Sequence, residues 1–126
     1  MARVAVVDND RDLLDLLGTL FEDWGWQILP HPSGRDAADF VRESLPDAVL
    51  LDLWLEHPQS GIAVCRSLAD CPDTSDIPLV IFTGDHDNLQ QHRDWLDSKS
   101  IAVIEKPFDI DRLHQVIEEA MAAKTG

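Results

Sequence analysis

The chain has 126 residues, 44% of them hydrophobic and 27% charged, and its 10 Lys+Arg against 24 Asp+Glu give a formal net charge of −14. That length holds one ordinary domain with its own core, so residues 1–126 read as a single unit with no room for an output domain. The acid excess argues against gripping a nucleic-acid backbone, which needs a positive patch, and no apolar run approaches the roughly 18 to 20 residues that span a bilayer.

The N-terminus passes from Met1-Ala2-Arg3 directly into an apolar run, RVAVV, with no signal segment, which predicts a cytoplasmic protein. Leu13, Leu14, Leu17, Leu20, Phe21 and Trp24 then make one helical stripe, opened by Asp10 as N-cap and closed by Gly25. A second run, WQILP, starts at Trp26, and Ala37, Ala38, Val41 and Leu45 form a second stripe that ends before Pro46. The third run, DAVLLDL, starts at Asp47, and Val64, Cys65 and Leu68 mark a helix ending near Pro72. A fourth run, IPLVIF, starts at Ile77. The stretch His86 to Asp97 offers mainly Leu89, Trp95 and Leu96, which predicts a weakly anchored, comparatively mobile fourth helix. The fifth run, IAVI, starts at Ile101, and Ile110, Leu113, Ile117, Ala120 and Met121 line the last helix behind Asp109 as cap.

Successive runs start 23, 21, 30 and 24 residues apart, the rhythm of βα units. Short runs rich in Val, Ile and Leu and apolar on both faces are buried parallel strands covered by helices. Five such strands alternating with five helices make an α/β, doubly wound, five-stranded parallel sheet, whose ligands bind beyond the carboxyl ends of the strands.

Those ends carry Asp8, Asn9 and Asp10, then Asp52, then Thr83 and Gly84, then Lys106 and Pro107. Carboxylates about 4 Å apart repel by about 4 kcal/mol at an effective dielectric of about 20, so their convergence calls for a cation. Mg²⁺ suits hard oxygen donors and keeps waters that a phosphate can displace. A lysine and a threonine hydroxyl on the far side supply the point charge and the hydrogen-bond donor that a phosphoryl group needs.

In VVDND (Val6 to Asp10), VLLDL (Val49 to Leu53), IFTG (Ile81 to Gly84) and EKPF (Glu105 to Phe108), the chain resembles the receiver domains of bacterial two-component response regulators. The resemblance covers essentially the whole chain and implies a flavodoxin-like sheet of order 2-1-3-4-5. It further implies that Asp52 accepts a phosphoryl group from a histidine kinase or phosphotransfer protein in a Mg²⁺-dependent step. Asp8, Asn9, Asp52 and the backbone carbonyl of Trp54 would be the metal ligands, Thr83 and Lys106 the phosphate-contacting residues, and the bond before Pro107 would be cis. Such a domain is a phosphoacceptor switch and not a conventional enzyme. It would signal by contact with a downstream protein or a second copy through the fourth helix, fifth strand and fifth helix, with no direct nucleic-acid or membrane role.

The sequence departs from the family pattern in three places, at Asn9, in the loop after Asp52 and at Val103. Asn9 stands where the family has an acid, which predicts weaker Mg²⁺ binding; Asp10 either compensates or caps the first helix. The stretch DLWLEHPQSG (Asp52 to Gly61) is one residue longer than usual and lacks a Met-Pro pair. Trp54 and Asp85 either govern access of water to the acyl phosphate or are plain loop residues. Val103 replaces the aromatic that often switches with the threonine, and the chain has no tyrosine. None of the five histidines, His31, His57, His86, His92 and His114, has ligand spacing; they are expected at the surface, with His57 and His86 near the cleft. Cys65 and Cys71 read as reduced thiols, and Trp24, Trp26 and Trp95 as packing residues.

Two other functions compete. Asp8-Asn9-Asp10 also reads as the DxD of a haloacid dehalogenase-type phosphatase with Asp8 as nucleophile, although Asp12 stands where that family has Thr or Val. A degenerate receiver that only docks is the other, with retention of Asp52, Thr83 and Lys106 against it.

Overall fold

The computed structural model describes residues 1–125, with side chains through Ala123. Five strands, β1 (Arg3–Val7), β2 (Gln27–His31), β3 (Ala48–Leu51), β4 (Leu79–Thr83) and β5 (Ala102–Glu105), form one parallel sheet in the order β2-β1-β3-β4-β5. The order reverses at β1, so the ends of β1 and β3 flank the crevice where such sheets bind ligands.

Alternation along each strand builds two apolar layers. Val4, Val6, Leu50, Val80 and Phe82 face α1 (Arg11–Asp23) and the long helix after β5, Ile110–Thr125. Ala5, Val7, Val49, Leu51 and Ile81 face the helices of the other side, α2 (Ala37–Ser44) and α3 (Ser60–Asp70), with the segment after β4. Edge strand β2 contains Pro30. Gln27 N donates to the Ala2 carbonyl and the His31 carbonyl accepts from Asp8 N, so the intervening Pro30, out of phase with both, turns its missing N–H to the free edge.

The capping signals hold. Asp10 accepts a bond from Leu13 N at 3.1 Å, and Gly25 follows the helix at φ +79°, the left-handed geometry that glycine adopts without a Cβ penalty. Asp109 Oδ1 accepts from Asp111 N and Arg112 N.

The structure corrects the predicted helices in three places. There are six, because the stretch after β4 forms two short ones, α4 (His86–Gln91) and α5 (Arg93–Ser98), making the last helix α6 (Ile110–Thr125). The break falls at His92 (φ −113°, ψ 6°), where no apolar residue between Leu89 and Trp95 holds a continuous helix to the sheet. Nor is this stretch weakly anchored: Leu89 and Leu96 are wholly buried, and Arg66 lies over the Trp95 ring at 4.6 Å. Leu45 and Ile110, assigned to apolar stripes, are exposed; Leu45 is the left-handed C-cap of α2, which swings its side chain off the helical face, and Ile110 is the first residue of α6. His92 is not a plain surface residue either, since its Nε2 is buried with no partner among the described residues.

Candidate functional site

Four of the candidate side chains sit one step past a strand or at its last residue. Asp8 follows β1, Asp52 follows β3, Thr83 ends β4 and Lys106 follows β5. Asp52 N donates to the Val7 carbonyl at 3.0 Å and Lys106 N to the Thr83 carbonyl at 2.8 Å, so the ladder bonds run right up to the functional residues. Asp8 and Thr83 are each 1% exposed and Asp52 is 8% exposed. The Lys106–Pro107 bond is cis, as the resemblance implied.

The Lys106 ammonium reaches between the two carboxylates, 2.8 Å from Asp8 Oδ2 and 3.4 Å from Asp52 Oδ2, while packing over the Phe82 ring at 4.9 Å. One cation therefore serves two buried anions and leaves the pocket with a net negative charge. Burial pushes the Asp52 carboxyl above its ordinary range; Lys106 opposes that shift most strongly, the charge on Asp8 adds to it, and a bond from Trp54 N opposes it. The other Asp8 oxygen accepts from Asp10 N at 2.9 Å. Asp8 is thus held at both oxygens, whereas Asp52 keeps only long contacts, 3.4 Å to Lys106 and 3.3 Å from Trp54 N.

Several alternatives raised by the sequence resolve here. The Asp10 carboxylate caps α1 by accepting from Leu13 N, the capping role of the two the sequence offered. Asn9 lies beside the site and donates from Nδ2 to the Leu55 carbonyl at 2.8 Å, a bond that an aspartate could not make. Trp54 is 47% exposed beside Asp52. The Asp85 carboxylate caps α4 by accepting from Asn88 N at 3.0 Å, and its own N–H donates to Thr83 Oγ1 at 3.1 Å. Val103 is partly buried against the aliphatic layer. His57 Nδ1 accepts from Gln59 N, and His86 sits 3.6 Å from Glu105. Among the described residues no cluster of three or more His, Cys, Asp or Glu side chains forms. A cavity of about 810 Å³ along β5 and α6 contains none of Asp8, Asp52, Thr83 or Lys106 and so lies apart from the strand-end site.

Four residues that matter here went unread in the sequence. A Cβ on Gly61 would lie 2.1 Å from the Asp52 carbonyl and 2.4 Å from Leu53 Cα, so α3 can press against the backbone of Asp52 only through a glycine. Ser60 Oγ accepts from Leu55 N and donates to the His57 carbonyl, closing the turn between them. Glu56 accepts from Ser33 Oγ at 2.5 Å and Gly34 N at 2.7 Å; the Ser33 bond leads in holding its carboxyl below the usual range. Asn88 Nδ2 donates to the Pro58 carbonyl at 2.6 Å. Only Gly61 left a trace in the sequence, as the glycine closing DLWLEHPQSG; the partners of Glu56 and Asn88 lie in loops distant along the chain, and those of Ser60 are backbone atoms.

The family model of the response regulator receiver domain matches residues 4–118. The chain belongs to that family. The Response regulator MprA of Mycolicibacterium vanbaalenii is 31% identical over 111 residues, which are 88% of this chain and 46% of that protein. The Transcriptional regulatory protein ZraR of Salmonella typhimurium is 30% identical over 119 residues, 94% of this chain and 26% of that protein. The chain therefore spans less than half the length of these relatives. Among solved structures, a sensor protein from Polaromonas superposes with a TM-score of 0.85 at 22% identity, covering 98% of each chain, which shows the shared fold. The receiver domain of a sensor histidine kinase from Pseudomonas aeruginosa, with a magnesium ion coordinated in its active site cleft, superposes with a TM-score of 0.81 at 16% identity over 96% of this chain and 98% of that one.

A receiver domain is a signalling domain whose family binds Mg²⁺ in its active site and works between histidine kinases and downstream effectors. Membership leaves the dehalogenase-type alternative without support. Among the described residues no helix is long and apolar enough to cross a membrane.

Proposed function

We propose that this receiver is a phosphoacceptor switch in which Asp52 is the acceptor, supplied by a histidine kinase or phosphotransfer protein in the cytoplasm. The observation that carries the reading is the Lys106 ammonium set between Asp8 and Asp52, with Asp52 the less engaged of the two carboxylates. An Asp52 oxygen attacks phosphorus, the P–N bond to the donor imidazole breaks as the new P–O bond forms, and the imidazole nitrogen leaves with the electron pair. Lys106 offsets the charge on the transferring oxygens, and Thr83 donates its hydroxyl proton to a phosphoryl oxygen.

The donor set fits a hard divalent ion. Two buried carboxylates face a single ammonium, and Asp8 and Asp52, with Asn9 and the Trp54 carbonyl beside them, offer the oxygens that Mg²⁺ prefers. When bound, Mg²⁺ supplies the charge neutralisation that lets an anion approach an anionic pocket. The phosphorylated domain would bias a downstream protein or a second copy through α4, α5, β5 and α6.

The test is labelling by acetyl phosphate with and without Mg²⁺, followed by mapping of the acyl phosphate. Label on Asp52 that needs Mg²⁺ and disappears in Asp52→Asn is the expected result. Label undiminished in Asp52→Asn sinks the reading, and no label from any small donor favours a module that only docks.

A further inference from the structure

Resting on Asp52 as the acceptor, we propose that Asn88 is a positioning residue that latches α4 to the Pro58 carbonyl of the segment after Asp52, a bond released when a phosphoryl group on Asp52 draws Thr83 inward. Asn88 is 4% exposed, an unusual burial for an amide near the start of a six-residue helix. Its Nδ2 spans 30 positions of sequence to reach the Pro58 carbonyl at 2.6 Å. Its backbone N–H is held by Asp85 Oδ1 at 3.0 Å, and Asp85 N is held by Thr83 Oγ1 at 3.1 Å. Thr83, Asp85, Asn88 and Pro58 thus form one hydrogen-bonded chain from the end of β4 to the segment that begins at Asp52.

That segment is tied firmly enough to serve as the fixed side of the latch. Leu55 N and the His57 carbonyl both close on Ser60 Oγ, the Leu55 carbonyl takes the Asn9 amide, Glu56 is tied to Ser33 and Gly34, and Gly61 N donates to the Leu53 carbonyl. Pro58 sits in the middle of these ties, and no other side-chain bond links the segment to α4 among the described residues.

The latch is also poised to open. Asn88 Oδ1 is buried and has no partner among the described residues, a cost borne by this conformation and relieved by any rearrangement that supplies a donor. A phosphoryl group on Asp52 draws the Thr83 hydroxyl toward its oxygens. Moving Oγ1 withdraws the acceptor from Asp85 N, the α4 cap follows, and the amide is pulled off Pro58. With Val103 in place of a rotating ring, this polar chain connects the site to α4 directly.

The test compares the whole chain free and loaded with beryllofluoride and Mg²⁺, with the bound fluoride signal reporting loading. In wild type, the Asn88 side-chain amide protons are expected to be protected when free and to lose about tenfold in protection on loading, with a similar change at backbone amides 86–91. In Asn88→Ala, loading persists, but amides 86–91 change by less than about twofold between the two states. A merely structural amide would shift both states equally and leave the loading response intact, which overturns the latch. Should Asn88→Ala not fold, the wild-type side-chain signal decides alone: protons unprotected when free, or unchanged on loading, overturn it. Absence of a loaded state in wild type takes down the reading of Asp52 itself, and the latch with it.

Discussion

The two layers that cover the sheet are built from different materials. On one face, α1 has 13 residues and α6 has 16, and they close over an aromatic cluster. Phe21 meets Trp26 edge-on at 5.5 Å, Trp24 meets Trp26 at 5.2 Å, and His114 lies flat on Trp26 with 9° between the planes. On the other face, four helices of 8, 11, 6 and 6 residues cover a layer of aliphatic side chains, with Phe40 and Trp95 only partly buried at its margin. That face leans on single polar ties between loops, Glu56 to Gly34 and Asn88 to Pro58 among them. Large rings packed beneath long helices make a layer expected to open only with the whole fold. Short helices and individual hydrogen bonds, even with Leu89 and Leu96 anchored in the core, make a layer expected to rearrange before the other does. The Asp52 carboxylate sits at the seam, so a change there finds one firmer wall and one more compliant one.

Truncating the centre of the aromatic layer should cost the most. Phe21→Ala is expected to lose about 3–5 kcal/mol of stability in urea unfolding, from the transfer of a wholly buried ring and the cavity it leaves. A loss under about 1 kcal/mol would mean that the rings are not the rigid element. Next is Gly61→Ala, expected to cost about 1–3 kcal/mol by forcing α3 off the Asp52 backbone, and also to abolish beryllofluoride loading. Retained loading at full affinity would show that the compliant wall absorbs even this clash.

The smallest effect is a rate. Cys65 is wholly buried in the aliphatic layer, and burial pushes its thiol up to about 12, so the native fold gives a reagent at neutral pH nothing to attack. Cys71, partly exposed at the end of α3, is held below the ordinary thiol range chiefly by a bond from Asp73 N and then by the Arg42 guanidinium. Iodoacetamide should modify Cys71 first and Cys65 later, through local opening of the α2–α5 face, faster than global unfolding permits. Equal rates for Cys65 labelling and unfolding would erase the distinction between the layers.

The strand rhythm and the polar residues at the strand ends were legible because they depend on local period and composition. Asp8, Asp52, Thr83 and Lys106 fall at strand ends in any βα sheet of this order, and the sheet brings them together. Leu45 and Ile110 misled because a helical stripe does not announce the turn at which the backbone leaves the helix. The break at His92 is a matter of missing contacts, which a polar run reveals only against a known neighbour. The ties of Asn9, Glu56 and Asn88 go to atoms of distant loops, and a carbonyl acceptor leaves no mark in the amino-acid alphabet. Gly61 is required by a close approach, which becomes visible only when both backbones are in place.

Pro30 bears on how this sheet meets other chains. With the Pro30 N–H missing from the outer side of β2, where Ile28 alone still presents one, a strand arriving there finds an interrupted ladder. Growth is favoured at the β5 side. An object with one sticky margin can pair with its like and then stop, but it cannot string into a fibre, so crowding should favour finite assemblies over runaway polymerisation.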